Sequence, residues 1–336
     1  MELALANQDL KRRIHVLGTG GTIAGAQSDS RHLGYTAATY GIDWLLNAVP
    51  GLHDLAILTG EQLVNIGSQD MDDRIWLQLA RRVDELLSTP AVDAVLITHG
   101  TDTLEETAYF LSLVIASPKP VVLVGSMRPA TALGADGPAN IYNGVALATD
   151  ARAAGRGTLL CLDGEIHRPR HVTKAGTMSS NAFCSSPAGL AGVVLAGRVE
   201  WFEVAGAARA HCFSIAGRDE LPRVDIIYAY PGMSADLIDS LVAAGTRGLV
   251  IAGVGAGNIN RSAIARLSAA VANGIPVVRS SRVARPMVFR NAEVNDDHHG
   301  FVAARDLNPG KSRVLLQLAL TVSTDAGRIQ EYFERC

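Results

Sequence analysis

Short apolar runs alternate with amphipathic helical stretches along most of this chain. A parallel sheet with helices covering both faces is the architecture that best satisfies such a pattern. Residues 14–17, 92–98, 121–125 and 158–162 read as buried strands. After Asp70, a candidate helix cap, Ile75, Leu79, Val83 and Leu86 recur at helical spacing, and residues 104–116 predict the next helix. Residues 164–202 lose the alternation, and their glycines, serines and short β-like runs such as 192–195 predict hairpins. Residues 205–222 are rich in Ala, Gly and Arg and weakly periodic, as expected of a linker. Alternation then resumes, with strands at 224–229, 249–253 and 275–278. Helices are expected at 235–244, at 261–272 behind the cap Asn260, and from Asn308-Pro309, whose core stripe is Leu315, Leu318, Ala319 and Val322. The expected fold is therefore α/β in two domains, as 336 residues allow. Residues 1–204 form a larger, mostly parallel sheet flanked by helices, 205–222 the linker, and 223–336 a smaller parallel α/β domain.

A hydrophobic content of 48% with 19% charged residues describes a globular chain. The net charge of −3 leaves no electrostatic footprint for nucleic acid or an anionic membrane. No run approaches the roughly 18 apolar residues of a spanning helix, so a soluble protein is expected. Residues 1–13 lack a secretory apolar region and end in Lys11, Arg12 and Arg13. The expectation is a cytoplasmic protein as the chain is written, or a periplasmic one if a leader has been removed. The four cysteines show no metal-like spacing. Cys161 and Cys184 read as buried apolar thiols, and Cys336, the last residue, as a free thiol on a frayed end.

Two threonine-bearing glycine loops follow the first two strands: GTGGTIAG at residues 18–25 and HGTDT at 99–103. Ligands of α/β proteins gather at the carboxyl ends of parallel strands, where glycine lets the backbone turn and approach a substrate. GTGGTIAG departs from the spacing of a dinucleotide loop, and Ser28, Ser30, Gly34, Tyr35 and Thr36 after it read as a mobile loop. HGTDT offers a hydroxyl, a carboxylate and a helix start together. Thr101 or Asp102 also suits capping alone, with Glu105 and Glu106 favouring the positive end of the helix dipole. Ser68 and Gln69 share that ambiguity: ligand contacts, or the approach to a capped helix. Lys174 lies in a polar stretch, either exposed or set beside Thr101 and Asp102. Asp296, Asp297, His298 and His299 follow Glu293, but adjacent residues of one loop seldom converge on one ion, so no metal is expected.

The combination TGGTIAG, EQxVNIGSQDM, ITHGTDTxEETAYFL, KPVVxVGxMRP, DGPxNxYN, VTK, AGVGxGN, VVRSSRV and AEVxD resembles the bacterial L-asparaginases, including the glutaminase–asparaginases. The likeness runs from residue 14 to about residue 320. It implies hydrolysis of the side-chain amide of L-asparagine to L-aspartate and ammonia through a threonine nucleophile, with a lower activity on L-glutamine and no cofactor. By the same resemblance Thr22 is the nucleophile and Tyr35 sits on the loop that closes over substrate. Thr101, Asp102 and Lys174 form the second hydroxyl with its carboxylate and lysine. Ser68 and Gln69 hold substrate, and Asn258 and Glu293 reach the site of a neighbouring subunit within a tetramer of two intimate dimers. A left-handed crossover near the site is also implied, against the usual handedness.

Ser126 replaces the alanine of some members near the expected oxyanion, and Ala256 stands where some carry asparagine. No cysteine pair matches the disulfide of some periplasmic members. Three rivals to a free-asparagine hydrolase are a tRNA-dependent amidotransferase subunit, a non-catalytic amino-acid-binding regulator and a dinucleotide-binding protein. The first needs a long extra N-terminal domain, the second has no use for a nucleophile, and the third lacks the loop spacing.

Overall fold

The structure is a computed structural model that describes residues 11–28, 34–203 and 212–336. The tail at residues 1–10, Ser30 of the loop and residues 205–211 of the expected linker lie outside the described residues; residues 212–222 contain no helix or strand. Contacts divide the chain into two compact units, Met1–His211 and Cys212–Cys336.

The first unit is built on an eight-stranded sheet. Its strands are β1 (Arg13–Gly20), β2 (Ile57–Ile66), β3 (Ala94–Thr98), β4 (Val121–Val124), β5 (Thr158–Leu162) and β6 (Glu165–His167). A two-stranded antiparallel sheet of β7 (Val172–Lys174) and β8 (Phe183–Ser185) stands apart, and β9 (Gly192–Leu195) and β10 (Arg198–Trp201) return to the large sheet. The spatial order is β10-β9-β6-β5-β4-β3-β1-β2, with β2-β1-β3-β4-β5 parallel and the remaining pairs antiparallel. Strands β3, β4 and β5 are buried at every residue, as expected of strands covered on both faces. Helix Asp73–Ser88 buries Trp76, Leu79, Val83 and Leu86 on one side. Its cap is Asp72, which accepts from the Ile75 N–H at 2.9 Å, and not Asp70, because Asp70 belongs to a separate short turn, Ser68–Asp70.

The second unit holds four parallel strands in the order β11 (Val224–Tyr228), β12 (Gly248–Gly253), β13 (Val277–Ser281) and β14 (Phe301–Ala303). Asn260 caps helix Arg261–Ala272, and Asn308 caps helix Pro309–Leu320. That helix buries Leu315, Leu318 and Ala319 but ends before Val322, which is 47% exposed and no part of the core stripe.

Cys336 is not a free thiol: it forms a disulfide with Cys212. The end of the chain is held because the last helix, Ala326–Arg335, buries Ile329 and Phe333. Its Tyr332 packs on Phe213 with ring centroids 4.6 Å apart, which carries the neighbouring cysteine to the terminus. The bond closes a span of 124 residues and restricts the unfolded chain accordingly. Cys161 is a buried thiol, its pKa pushed up by burial to about 12, whereas Cys184 is only half-buried.

Candidate functional site

Strands β1 and β3 are adjacent and parallel, with Gly18 opposite Thr98, so both threonine loops leave the same edge of the sheet. The Thr19 hydroxyl donates to the Thr98 carbonyl at 2.9 Å and ties the two strand ends. Beyond them the loops touch. Gly21 has φ +82°, and a Cβ there would fall on the backbone of Gly100. Only glycine combines that conformation with that closeness. Thr22 and Thr101 each follow one of these two glycines, and both are buried.

Thr22 opens a short 3-10 turn, Thr22–Ala24, and its Oγ1 lies 2.8 Å from the Tyr35 hydroxyl. The loop that carries Tyr35 closes on itself: Ala26 and Thr36 exchange backbone hydrogen bonds, each 2.9 Å long. Gln27 N–H donates to Thr131 Oγ1 and Ala130 N–H to Gly25 O, which fastens the loop base to the segment after β4.

Lys174 ends β7, and its ammonium donates to Thr101 Oγ1 at 2.9 Å and to Asp102 Oδ1 at 2.6 Å. Its side chain is 16% exposed while that of Asp102 is 63% exposed, so the pair sits at the edge of solvent. Neither Thr101 nor Asp102 caps helix Leu104–Val114. Thr103 holds the cap position without a capping hydrogen bond, and its hydroxyl donates instead to Ser68 O at 2.8 Å. Ser68 Oγ accepts from the Asp102 N–H at 3.2 Å, and a Cβ on Gly100 would strike it at 2.7 Å. Ser68 is thus packed into the threonine loops. Gln69 is exposed, its amide nitrogen 3.5 Å from the Asp70 carboxylate.

His99 supports the second loop from below. It is fully buried, and Nδ1 lies 2.7 Å from the Gly100 carbonyl. A carbonyl only accepts, so Nδ1 carries the proton and Nε2 is the acceptor for the Thr107 hydroxyl 3.0 Å away. Thr107 in turn accepts from the Trp76 indole N–H at 2.9 Å. Burial lowers the pKa of His99 to about 4. Because the folded value lies below the ordinary 6.5, the stability of the neutral form is complete above pH 6.5 and is lost as pH falls toward 4. The loss across that window is on the order of 3 kcal/mol. His99→Gln should flatten the pH dependence of urea denaturation between pH 7 and 4.5; a slope equal to that of the parent chain would contradict this assignment.

The segment after β4 is clamped by the start of helix Gly137–Thr149. Asp136 accepts from the N–H groups of Met127 and Arg128, each at 2.9 Å, and Asn140 Nδ2 donates to Gly125 O at 2.9 Å. A Cβ on Gly125 would approach Thr101 Cγ2 to 3.0 Å, so this segment walls the second threonine. Ser126 is buried, and its hydroxyl donates to Arg128 O at 2.7 Å.

In the second unit Asn258 donates to Glu293, an exposed residue. Asp296 and Arg279 form a buried ion pair beneath them. Asp297 accepts from Asn291 and Arg290, and those donors hold its pKa below the usual carboxylate range. Among the described residues no group of three or more His, Cys, Asp and Glu could hold a metal ion.

Thr22 with Tyr35, and Thr101 with Asp102, Lys174 and Ser68, are therefore each brought together, and Asn258 with Glu293. Sequence reasoning missed His99, Asp136 and Asn140. The signal for Asp136 was its place before Gly137-Pro138 at a helix start.

Residues 13–205 match the family described as "Asparaginase, N-terminal", and residues 223–333 the "Glutaminase/Asparaginase C-terminal domain". The chain is 45% identical to a "Probable L-asparaginase periplasmic" of Haemophilus influenzae, over 99% of this chain and 95% of that protein. It is also 45% identical to "L-asparaginase 2" of Escherichia coli, over 96% of this chain and 92% of the relative. A solved structure titled "Probable Cytoplasmic L-asparaginase from Campylobacter jejuni" superposes with a TM-score of 0.93 at 43% identity, covering 97% of this chain and all of that one.

Proposed function

The chain belongs to the asparaginase family, and on that premise we propose that it hydrolyses the side-chain amide of free L-asparagine to L-aspartate and ammonia, with a lower activity on L-glutamine. The observation that carries the reading is the Thr22–Tyr35 hydroxyl pair set beside the Lys174–Thr101–Asp102 cluster by the Gly21–Gly100 contact.

In this mechanism Thr22 Oγ attacks the amide carbon and its proton passes to the departing nitrogen, so that ammonia leaves and an aspartyl ester of Thr22 remains. Water then cleaves the ester, the water proton returning to Thr22 Oγ as L-aspartate departs. Thr101 relays protons, with Lys174 donating to its oxygen and Asp102 balancing the lysine's charge. Tyr35, from the loop over the site, holds the Thr22 hydroxyl in line.

A zwitterionic substrate needs both signs of partner. Asp102 and Glu293 suit its ammonium, with Gln69 accepting a further hydrogen bond. Ser68 suits its α-carboxylate, since Ser68 Oγ already accepts from Asp102 N–H and keeps its own proton to donate. Asn258 and Glu293 are lent to the site by the C-terminal domain of a neighbouring subunit, in a homotetramer of two intimate dimers. No cofactor takes part. The Cys212–Cys336 disulfide suits an oxidising compartment, which favours a periplasmic over a cytoplasmic location.

Ammonia release from L-asparagine and L-glutamine, followed across size-exclusion fractions, tests the reading. Asparagine should be turned over faster, and only in assembled fractions. One methylene in a pocket discriminates by about 1–3 kcal/mol, so glutamine should still react. Release from neither amide, or full activity in a monomer fraction, would overturn the corresponding claim.

A further inference from the structure

Lys174 is oddly placed for a residue that must meet Thr101 closely. It ends a three-residue strand in the two-stranded β7–β8 sheet, which shares no hydrogen-bonded strand pair with the sheet that carries the threonine loops. A long flexible side chain on a separate element needs its backbone anchored before its ammonium can hold one position. The anchor is visible. The backbone N–H of Lys174 donates to Glu105 Oε2 at 2.9 Å. Glu105 is the second residue of helix Leu104–Val114, which starts directly behind Thr101, Asp102 and Thr103.

We propose that Glu105 is a positioning residue that clamps the backbone of Lys174 so that its ammonium stays on Thr101 Oγ1 and Asp102; this rests on the reading of Lys174 given above. One short segment, residues 101–105, then supplies three things to the lysine: the hydroxyl it serves, the carboxylate that balances it and the carboxylate that fixes its backbone. Thr101 lies in the turn two residues before the helix cap and Glu105 in the first turn of the helix, so both ends of the clamp belong to one short stretch of chain. A favourable interaction with the helix dipole, the role the sequence suggests for Glu105, needs only the charge. The clamp needs an oxygen at one place, and this difference separates the two roles.

Glu105→Ala should lower kcat for asparagine by at least about tenfold, in line with the cost of misplacing a catalytic group by about an ångström, with KM changed by less than about threefold. Glu105→Gln keeps an acceptor oxygen at the same reach and should restore most of kcat. Glu105→Asp keeps the charge at the helix start but withdraws the oxygen by about one methylene, and should behave like Glu105→Ala. In a Lys174→Met background Glu105→Ala should lower kcat no further, because the proposed effect on kcat passes through Lys174. Parent-like kcat in both Glu105→Ala and Glu105→Asp, with Lys174→Met strongly impaired, overturns the clamp alone. Equal losses from Glu105→Ala in both backgrounds also overturn it. Parent-like kcat in Lys174→Met overturns the reading of the lysine and the clamp with it.

Discussion

Thr22→Ala is expected to lower kcat by at least about 10³-fold while the chain stays folded, because removing the proposed nucleophile should cost rate far more than stability. Thr22 begins a 3-10 turn whose conformation is set by Gly20 and Gly21 before it, at φ +95° and +82°. Alanine accepts the Thr22 position without strain, and the change deletes one hydroxyl and one methyl from a buried site. What is lost is the oxygen 2.8 Å from Tyr35. Thr22→Ser keeps that oxygen and should retain far more turnover. KM should move little in either variant, since the groups proposed to hold the substrate's ammonium and carboxylate are elsewhere. The same pair of variants separates covalent attack from direct attack by water. If water attacked the amide unaided by Thr22, alanine would leave kcat within about tenfold of the parent value. Steady-state ammonia release measures this, and acid-quench mass spectrometry of the parent enzyme should show an aspartyl adduct on the peptide containing Thr22.

The parallel architecture was legible in the sequence because covered strands must be apolar throughout, as β3, β4 and β5 are. Strand β2 was not legible for the converse reason. It lies at the edge of the sheet, and its sequence ILTGEQLVNI mixes apolar with polar residues and has no buried position, so no long apolar run marks it. Yet it delivers Ser68 to the threonine loops. The two glycine loops were legible as strand-end features, and their touching follows from β1 and β3 being neighbours, which alternation alone does not specify. Lys174 beside Thr101 was one of two open readings of the residues, and only the family resemblance chose between them; no local pattern joins residues 73 apart in sequence. The Cys212–Cys336 bond was invisible for a similar reason. Cysteine pairing depends on which elements pack together, and the packing of Phe213 on Tyr332 is a tertiary event.

Asp296→Ala and Arg279→Ala should each destabilise the protein by about 3–5 kcal/mol, the cost of leaving one member of a buried ion pair uncompensated. The pair lies out of solvent, with Arg279 1% exposed and Asp296 fully buried. Its fork is bidentate, Nε to Oδ1 at 2.5 Å and Nη2 to Oδ2 at 2.7 Å. The guanidinium also reaches the carbonyls of Gly257 at 3.3 Å and Ala256 at 3.4 Å, and Asp296 Oδ2 accepts from Asn291 N–H at 2.8 Å. One pair therefore fastens strand β13, the turn that leads to Asn258 and the segment that carries Glu293. A loss of this size is a large share of the roughly 5–15 kcal/mol that holds a typical domain. Asp296→Asn keeps the shape and the acceptor for Asn291, but it leaves Arg279 equally uncompensated and turns an NH2 donor toward the Nε–H, so its loss should be comparable with that of Asp296→Ala. Urea denaturation of the full chain reads both, and a change below about 1 kcal/mol in Asp296→Ala would show that the pair contributes little. In the folded fraction of Asp296→Asn, KM for asparagine should rise more than kcat falls. The residues released are those proposed to bind the substrate in a neighbouring subunit, and the reacting hydroxyls stand on the other unit of the chain.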